Sequence, residues 1–108
     1  MQPLTSLEWP FDEPQNLAVI TTQSILRHGK PILLVGHDSE DGGWSFLDGD
    51  TFREEEAIVV SLRSITERDP SVMALADLPL GWEAWRENAD SLWERSASPF
   101  LDDQSDNP

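Results

Sequence analysis

The apolar residues of this chain come in short, strand-forming runs cut apart by glycine, proline and acid, and that spacing bounds what the chain can fold into. The runs are Leu17-Ala18-Val19-Ile20-Thr21-Thr22, Ile32-Leu33-Leu34-Val35-Gly36-His37, Trp44-Ser45-Phe46-Leu47 and Ile58-Val59-Val60-Ser61-Leu62. Each has the length and residue types of a β-strand. None approaches the roughly 20 apolar residues of a membrane-spanning helix. Ser39-Glu40-Asp41-Gly42-Gly43 reads as a reversing turn, because glycine accepts the positive φ that a chain reversal needs. Residues 31–47 are therefore expected to form a β-hairpin. Gln23 to His28 reads as a short helical turn, with Thr21 or Thr22 as N-cap and Gly29 at its end.

The last third reads differently. Arg63 to Arg68 predicts a short turn or helix. Asp69-Pro70 is an N-cap followed by proline at the first helical position, where its missing N–H costs nothing, and a short helix through Ala76 should follow. Leu78-Pro79-Leu80-Gly81 breaks the chain. From Trp82 to Arg95, Trp82, Trp85, Ala89 and Leu92 recur at helical spacing, which predicts an amphipathic helix with both tryptophans in the core. The fold class expected is α+β: a small, mainly antiparallel sheet of about four strands, packed by this C-terminal helix and the short ones.

At 108 residues the chain suits one domain, expected to span residues 17–97. Residues 1–16 contain Pro3, Pro10 and Pro14 and read as a proline-rich arm, pinned by Trp9 and Phe11. Residues 98–108 read as an acidic, flexible tail. The start of the chain shows no basic-then-apolar signal pattern, so a cytoplasmic location is expected.

Charge narrows the partners. The chain holds 21 Asp and Glu against 7 Lys and Arg, a formal net charge of −14. Nucleic acids and anionic membranes would repel such a surface, so neither is expected as a partner. Half of the charge, −7, falls within residues 38–56. Asp38, Glu40, Asp41, Asp48, Asp50, Glu54, Glu55 and Glu56 lie there, opposed by Arg53 alone. The plain reading is a pair of solvated loops. The sharper one is a docking face for a basic protein, with Trp44 either in the core or acting as a binding anchor.

Other chemistry finds little support. The chain has no cysteine, which excludes disulfides and thiolate ligands. His28 and His37 are the candidate bases near neutral pH, but no nucleophile elbow accompanies them, and no catalytic residue is expected. Calcium-loop registers started at Asp38 or Asp48 put Gly49 or Val59 where a bidentate glutamate is required. The glycines form no phosphate-binding pattern. No metal site and no cofactor are expected.

Several segments resemble a known family. They are Ile20-Thr21-Thr22 through Gly36-His37-Asp38, Asp41-Gly42-Gly43-Trp44-Ser45-Phe46-Leu47-Asp48-Gly49, Ser61-Leu62, Asp69-Pro70-Ser71, Leu78-Pro79-Leu80-Gly81 and Trp82-Glu83-Ala84-Trp85-Arg86. Together they are similar to a family of small bacterial α+β proteins, formerly a domain of unknown function, described as immunity proteins of polymorphic toxin systems. The likeness spans residues 17–95. Its most specific parts are the Gly-Trp-x-Phe-Leu turn and the Asp-Pro … Leu-Pro-x-Gly segment. It implies a non-enzymatic protein that binds and neutralises a cognate toxin, and it carries no catalytic residues. The contact region expected is Asp38, Glu40, Asp41, Trp44, Asp48, Asp50, Glu54, Glu55 and Glu56, since basic toxin clefts would complement it. The alternatives are an acidic regulator or nucleic-acid mimic that binds a basic protein, and an adaptor module without catalysis. Nothing in the sequence bears on oligomeric state.

Overall fold

The computed structural model describes residues 9–49 and 53–97. Six strands, β1 (Ala18–Thr22), β2 (Leu34–His37), β3 (Trp44–Leu47), β4 (Ala57–Ser61), β5 (Trp82–Trp85) and β6 (Glu94–Ala97), form one sheet. Their order is β4-β1-β3-β2-β5-β6. Helix α1 (Gln23–His28) follows β1, and α2 (Leu62–Arg68) follows β4. Short 3-10 turns span Glu54–Glu56 and Pro70–Leu75. The α+β class is as expected, but the sheet is larger than four strands and mixed, since β1 runs parallel to β3.

Local chemistry accounts for most boundaries. Thr22 ends β1 and caps α1, its hydroxyl accepting the Ile25 N–H. Gly29 closes α1 at φ 73°, a conformation that would strain any side chain bearing a Cβ. The β2–β3 hairpin forms as predicted, with Val35 opposite Phe46 and His37 opposite Trp44. Asp69 caps the second 3-10 turn through the Ser71 N–H, with Pro70 in its first position.

The expected C-terminal helix is absent. Residues Trp82–Trp85 are β5 and Glu94–Ala97 are β6, paired with each other, and β5 also pairs with β2. Between them the Asn88 side chain accepts the Asp90 N–H at 2.9 Å, and Ser91 N–H bonds Asn88 O. Such local bonds favour a turn over a helix. The helical face fails with it: Trp82, Trp85 and Leu92 are 36%, 47% and 87% exposed. Ala84 and Arg86 are the buried residues of this stretch, and Trp93 packs partly buried against the core.

The helices, the 3-10 turn Pro70–Leu75 and the arm at Phe11 cover one face of the sheet. Val19, Val35, Phe46 and Ala84 point into it, against Ile25, Leu62, Ile65, Val72 and Leu75. Trp44 is a core residue too, 2% exposed. Its ring meets Phe11 edge-on at 5.4 Å and stacks on His37 at 4.0 Å. The opposite face carries Ile20 and Val59, which are register partners and both exposed.

Arg86 is the one charged side chain of the described residues that is buried. Its guanidinium donates to Ile32 O, Ser71 Oγ, Ala89 O and Asp69 Oδ2, and lies 4.2 Å from the Trp93 ring centroid. A buried charge needs such saturation, because desolvation otherwise outweighs what pairing returns. At the surface, Arg95 hydrogen-bonds Asp77 at 2.6 Å and holds that carboxyl below its usual range, tying β6 to the loop after the second 3-10 turn.

Candidate protein-binding surface

The acidic stretch does not fold into one patch. Asp38, Glu40 and Asp41 sit in the β2–β3 turn, all exposed. Asp48 leaves the far end of β3, half-buried. Glu54, Glu55 and Glu56 precede β4, whose first residue Ala57 pairs with Thr22 at the end of β1. Because β3 parallels β1, Asp48 and the glutamates share one end of the sheet and the turn occupies the other. Four residues of strand, about 13 Å, separate the two groups. Asp50 lies outside the described residues.

The two ends differ in chemistry. Glu56 is turned inward, its Oε1 accepting the Ser24 hydroxyl at 2.9 Å beside the first turn of α1. A carboxylate there favours the positive end of the helix. Glu54 and Glu55 are exposed beside it.

The hairpin turn is held by its own carboxylates. Asp38 Oδ1 accepts the N–H of Glu40 at 2.6 Å and of Asp41 at 3.4 Å, and Asp41 Oδ1 accepts that of Gly43 at 2.7 Å. The main chain closes the turn, with Gly42 N–H to Asp38 O and Asp38 N–H to Gly43 O. Each carboxylate keeps a second oxygen, so the loop presents fixed negative charge on a short, rigid hairpin.

Beside this turn lie apolar side chains that the sequence reading did not select. Gly81 N–H bonds His37 O at 2.6 Å and brings the Leu78–Gly81 loop against the end of β2. Leu80 then stands next to the turn: its Cδ2 is 4.0 Å from where a Cβ on Gly42 would be. It is 55% exposed. Trp82, opposite His37 in the register, is exposed at the same end. The signal was there in Leu78-Pro79-Leu80-Gly81, a break that leaves an apolar residue with no element to bury it.

Trp44, considered as an anchor for this surface, lies beneath it. Its indole N–H donates to Glu13 Oε2 at 3.1 Å, and His37 Nε2 lies 3.7 Å from the same oxygen. His37 Nδ1 is 2.7 Å from Leu78 O, which can only accept, so that nitrogen carries the proton. Trp9 N–H donates to Glu13 O. The cluster fastens the arm and the Leu78 loop to the sheet.

His28 is exposed at the end of α1, and His37 is the last residue of β2. A shallow cleft of about 310 Å³ lies between Lys30, Arg68 and Asp69, and neither histidine lines it. Among the described residues no group of three or more His, Asp or Glu side chains is placed to hold a metal ion. No helix among them is long and apolar enough to cross a membrane. Comparison with protein-family models, with curated proteins and with solved structures finds no match.

Proposed function

We propose that this protein is an immunity protein that binds and neutralises a cognate bacterial toxin, with the β2–β3 turn as its contact surface. The observation that carries the reading is the meeting of exposed carboxylates at Asp38, Glu40 and Asp41 with exposed Leu80 and Trp82 at one end of the sheet. Desolvated aromatic and aliphatic anchors beside complementary charge are what protein interfaces concentrate their energy in. Fixed charge raises the rate of capture by a basic cleft, and the anchors slow release. On this reading the protein acts by occupying a surface and needs no catalytic group. The resemblance of residues 17–95 to the immunity-protein family, read from the sequence alone, is part of the same proposal. A cytoplasmic site of action follows from the reading as part of the proposal.

The test uses the purified product of the adjacent reading frame as the toxin. Asp38→Asn, Glu40→Gln and Asp41→Asn together remove the charge but leave an amide oxygen at positions 38 and 41 to accept the N–H groups of the turn. This triple variant should bind more slowly and with a weaker dependence on salt. Leu80→Ala or Trp82→Ala should speed dissociation by about tenfold or more, as hot-spot truncations do. Glu54→Gln with Glu55→Gln, at the far end of the sheet, should change neither rate. If the triple variant binds with unaltered rate and salt dependence, the acidic turn is not the contact surface. If the wild-type protein does not bind that product, the immunity reading itself fails and an acidic regulator of another basic protein takes its place.

A further inference from the structure

The two edges of the sheet are built differently. β6 carries the charges of Glu94 and Arg95, both exposed. Charge is a usual guard of an open edge. β4, the opposite edge, reads Ala57-Ile58-Val59-Val60-Ser61, without charge or proline.

The free backbone of β4 can be worked out from its register. Leu62 N–H bonds Leu17 O at 2.8 Å, and bonded and non-bonded pairs alternate along an antiparallel ladder. Val60 is therefore bonded to Val19, while Ala57, Val59 and Ser61 turn their N–H and C=O groups away from β1. Two of these outward groups are already used. Ala57 N–H donates to Glu54 O, and Ser61 O accepts the Ser64 hydroxyl. Among the described residues, what remains without a partner along the edge is Ala57 O, both groups of Val59 and Ser61 N–H.

That pattern is complementary to itself. We infer that the chain forms a two-fold homodimer by antiparallel pairing of β4 with β4 of a second copy, centred on Val59. Each Val59 N–H then donates to the Val59 O of the other copy, and each Ser61 N–H to the other copy's Ala57 O. The two groups left out of that scheme are the two already bonded at home. On the open face, Val59, 66% exposed, meets its own copy across the axis, with Ile20 flanking on either side.

Charge selects the same arrangement. Centring on Val59 lays the Glu54–Glu56 end of one β4 beside the end of the other where α2 begins and carries exposed Arg63. The Arg63 side chain is 63% exposed and held by Glu67 at 3.0 Å. A parallel pairing would instead stack the Glu54–Glu56 runs on one another. Opposite charges across a strand pair stabilise it and like charges destabilise it. The inference is independent of the toxin-binding surface, which lies at the other end of the sheet from those glutamates.

Sedimentation velocity across a concentration series tests it. The wild-type chain should be a dimer that dissociates on dilution. Val59→Pro removes an N–H that β1 does not use, and proline is tolerated at such edge positions. It should raise the dimer dissociation constant by about tenfold or more through lost backbone bonds, with an unchanged far-UV circular dichroism spectrum. Should that variant misfold, Val59→Glu places like charges across the axis and should give a folded monomer. A wild-type chain that stays monomeric at every concentration overturns the proposal, including where it captures a strand of a foreign protein. So does a Val59→Pro or Val59→Glu variant that is folded and still dimeric.

Discussion

Arg86 shows how much one side chain can organise. It reaches Ile32 before β2, Asp69 and Ser71 at the second 3-10 turn, and Ala89 in the β5–β6 connection, and Trp93 lies against its guanidinium. Its side chain is 2% exposed and that of Asp69 is 22% exposed. Removing one partner of a buried pair leaves an unpaired charge and unsatisfied carbonyls. Arg86→Met should therefore cost about 3–5 kcal/mol in urea unfolding. Arg86→Lys should recover little, because one ammonium cannot serve acceptors on three segments. If Arg86→Met unfolds at the wild-type urea concentration, the guanidinium is not a structural centre.

The β5–β6 hairpin is where sequence and structure part. Trp82, Trp85, Ala89 and Leu92 match a 3.6-residue period, yet Trp82 and Ala84 also match a period of two. Periodicity alone could not decide between them. What decides is β2, which needs a partner on its second edge, and Ala84, small enough to sit fully buried opposite Val35. The requirement is non-local, so no window of sequence contains it. The hairpin turn, the Thr22 and Asp69 caps and the four early strands were legible because each rests on neighbouring residues. The binding surface was legible in part. Asp38, Glu40 and Asp41 stand out by charge, whereas Leu80 and Trp82 join them only through the Gly81 to His37 bond. Trp44 packs under the surface because its strand faces the helices. Two substitutions separate the hairpin from a helix. Leu92→Lys should shift stability by no more than about 0.5 kcal/mol, as for an exposed site. Ala84→Leu should cost about 1–3 kcal/mol by overpacking against β2. A helix with the predicted face would reverse that order in thermal melts.

The whole molecule carries −14, and like charges repel within a compact shape. Raising sodium chloride from about 10 to 150 mM shortens the screening length from about 30 to 8 Å. The melting temperature should rise over that range, and a fall would mean that specific ion pairs such as Arg95–Asp77 outweigh the general repulsion. The strand order bears on a different matter, the sequence of events during synthesis. β1 is made first, but its neighbours in the sheet are β3 and β4, while β2, made next, lies beyond β3. As the chain leaves the ribosome, the first pairing within reach is the β2–β3 hairpin, which closes locally. β1 can join it only afterwards, and its other side waits until Ser61 has emerged. A nascent chain halted before that point holds its oldest strand as an open template, the state in which chaperones matter most to it.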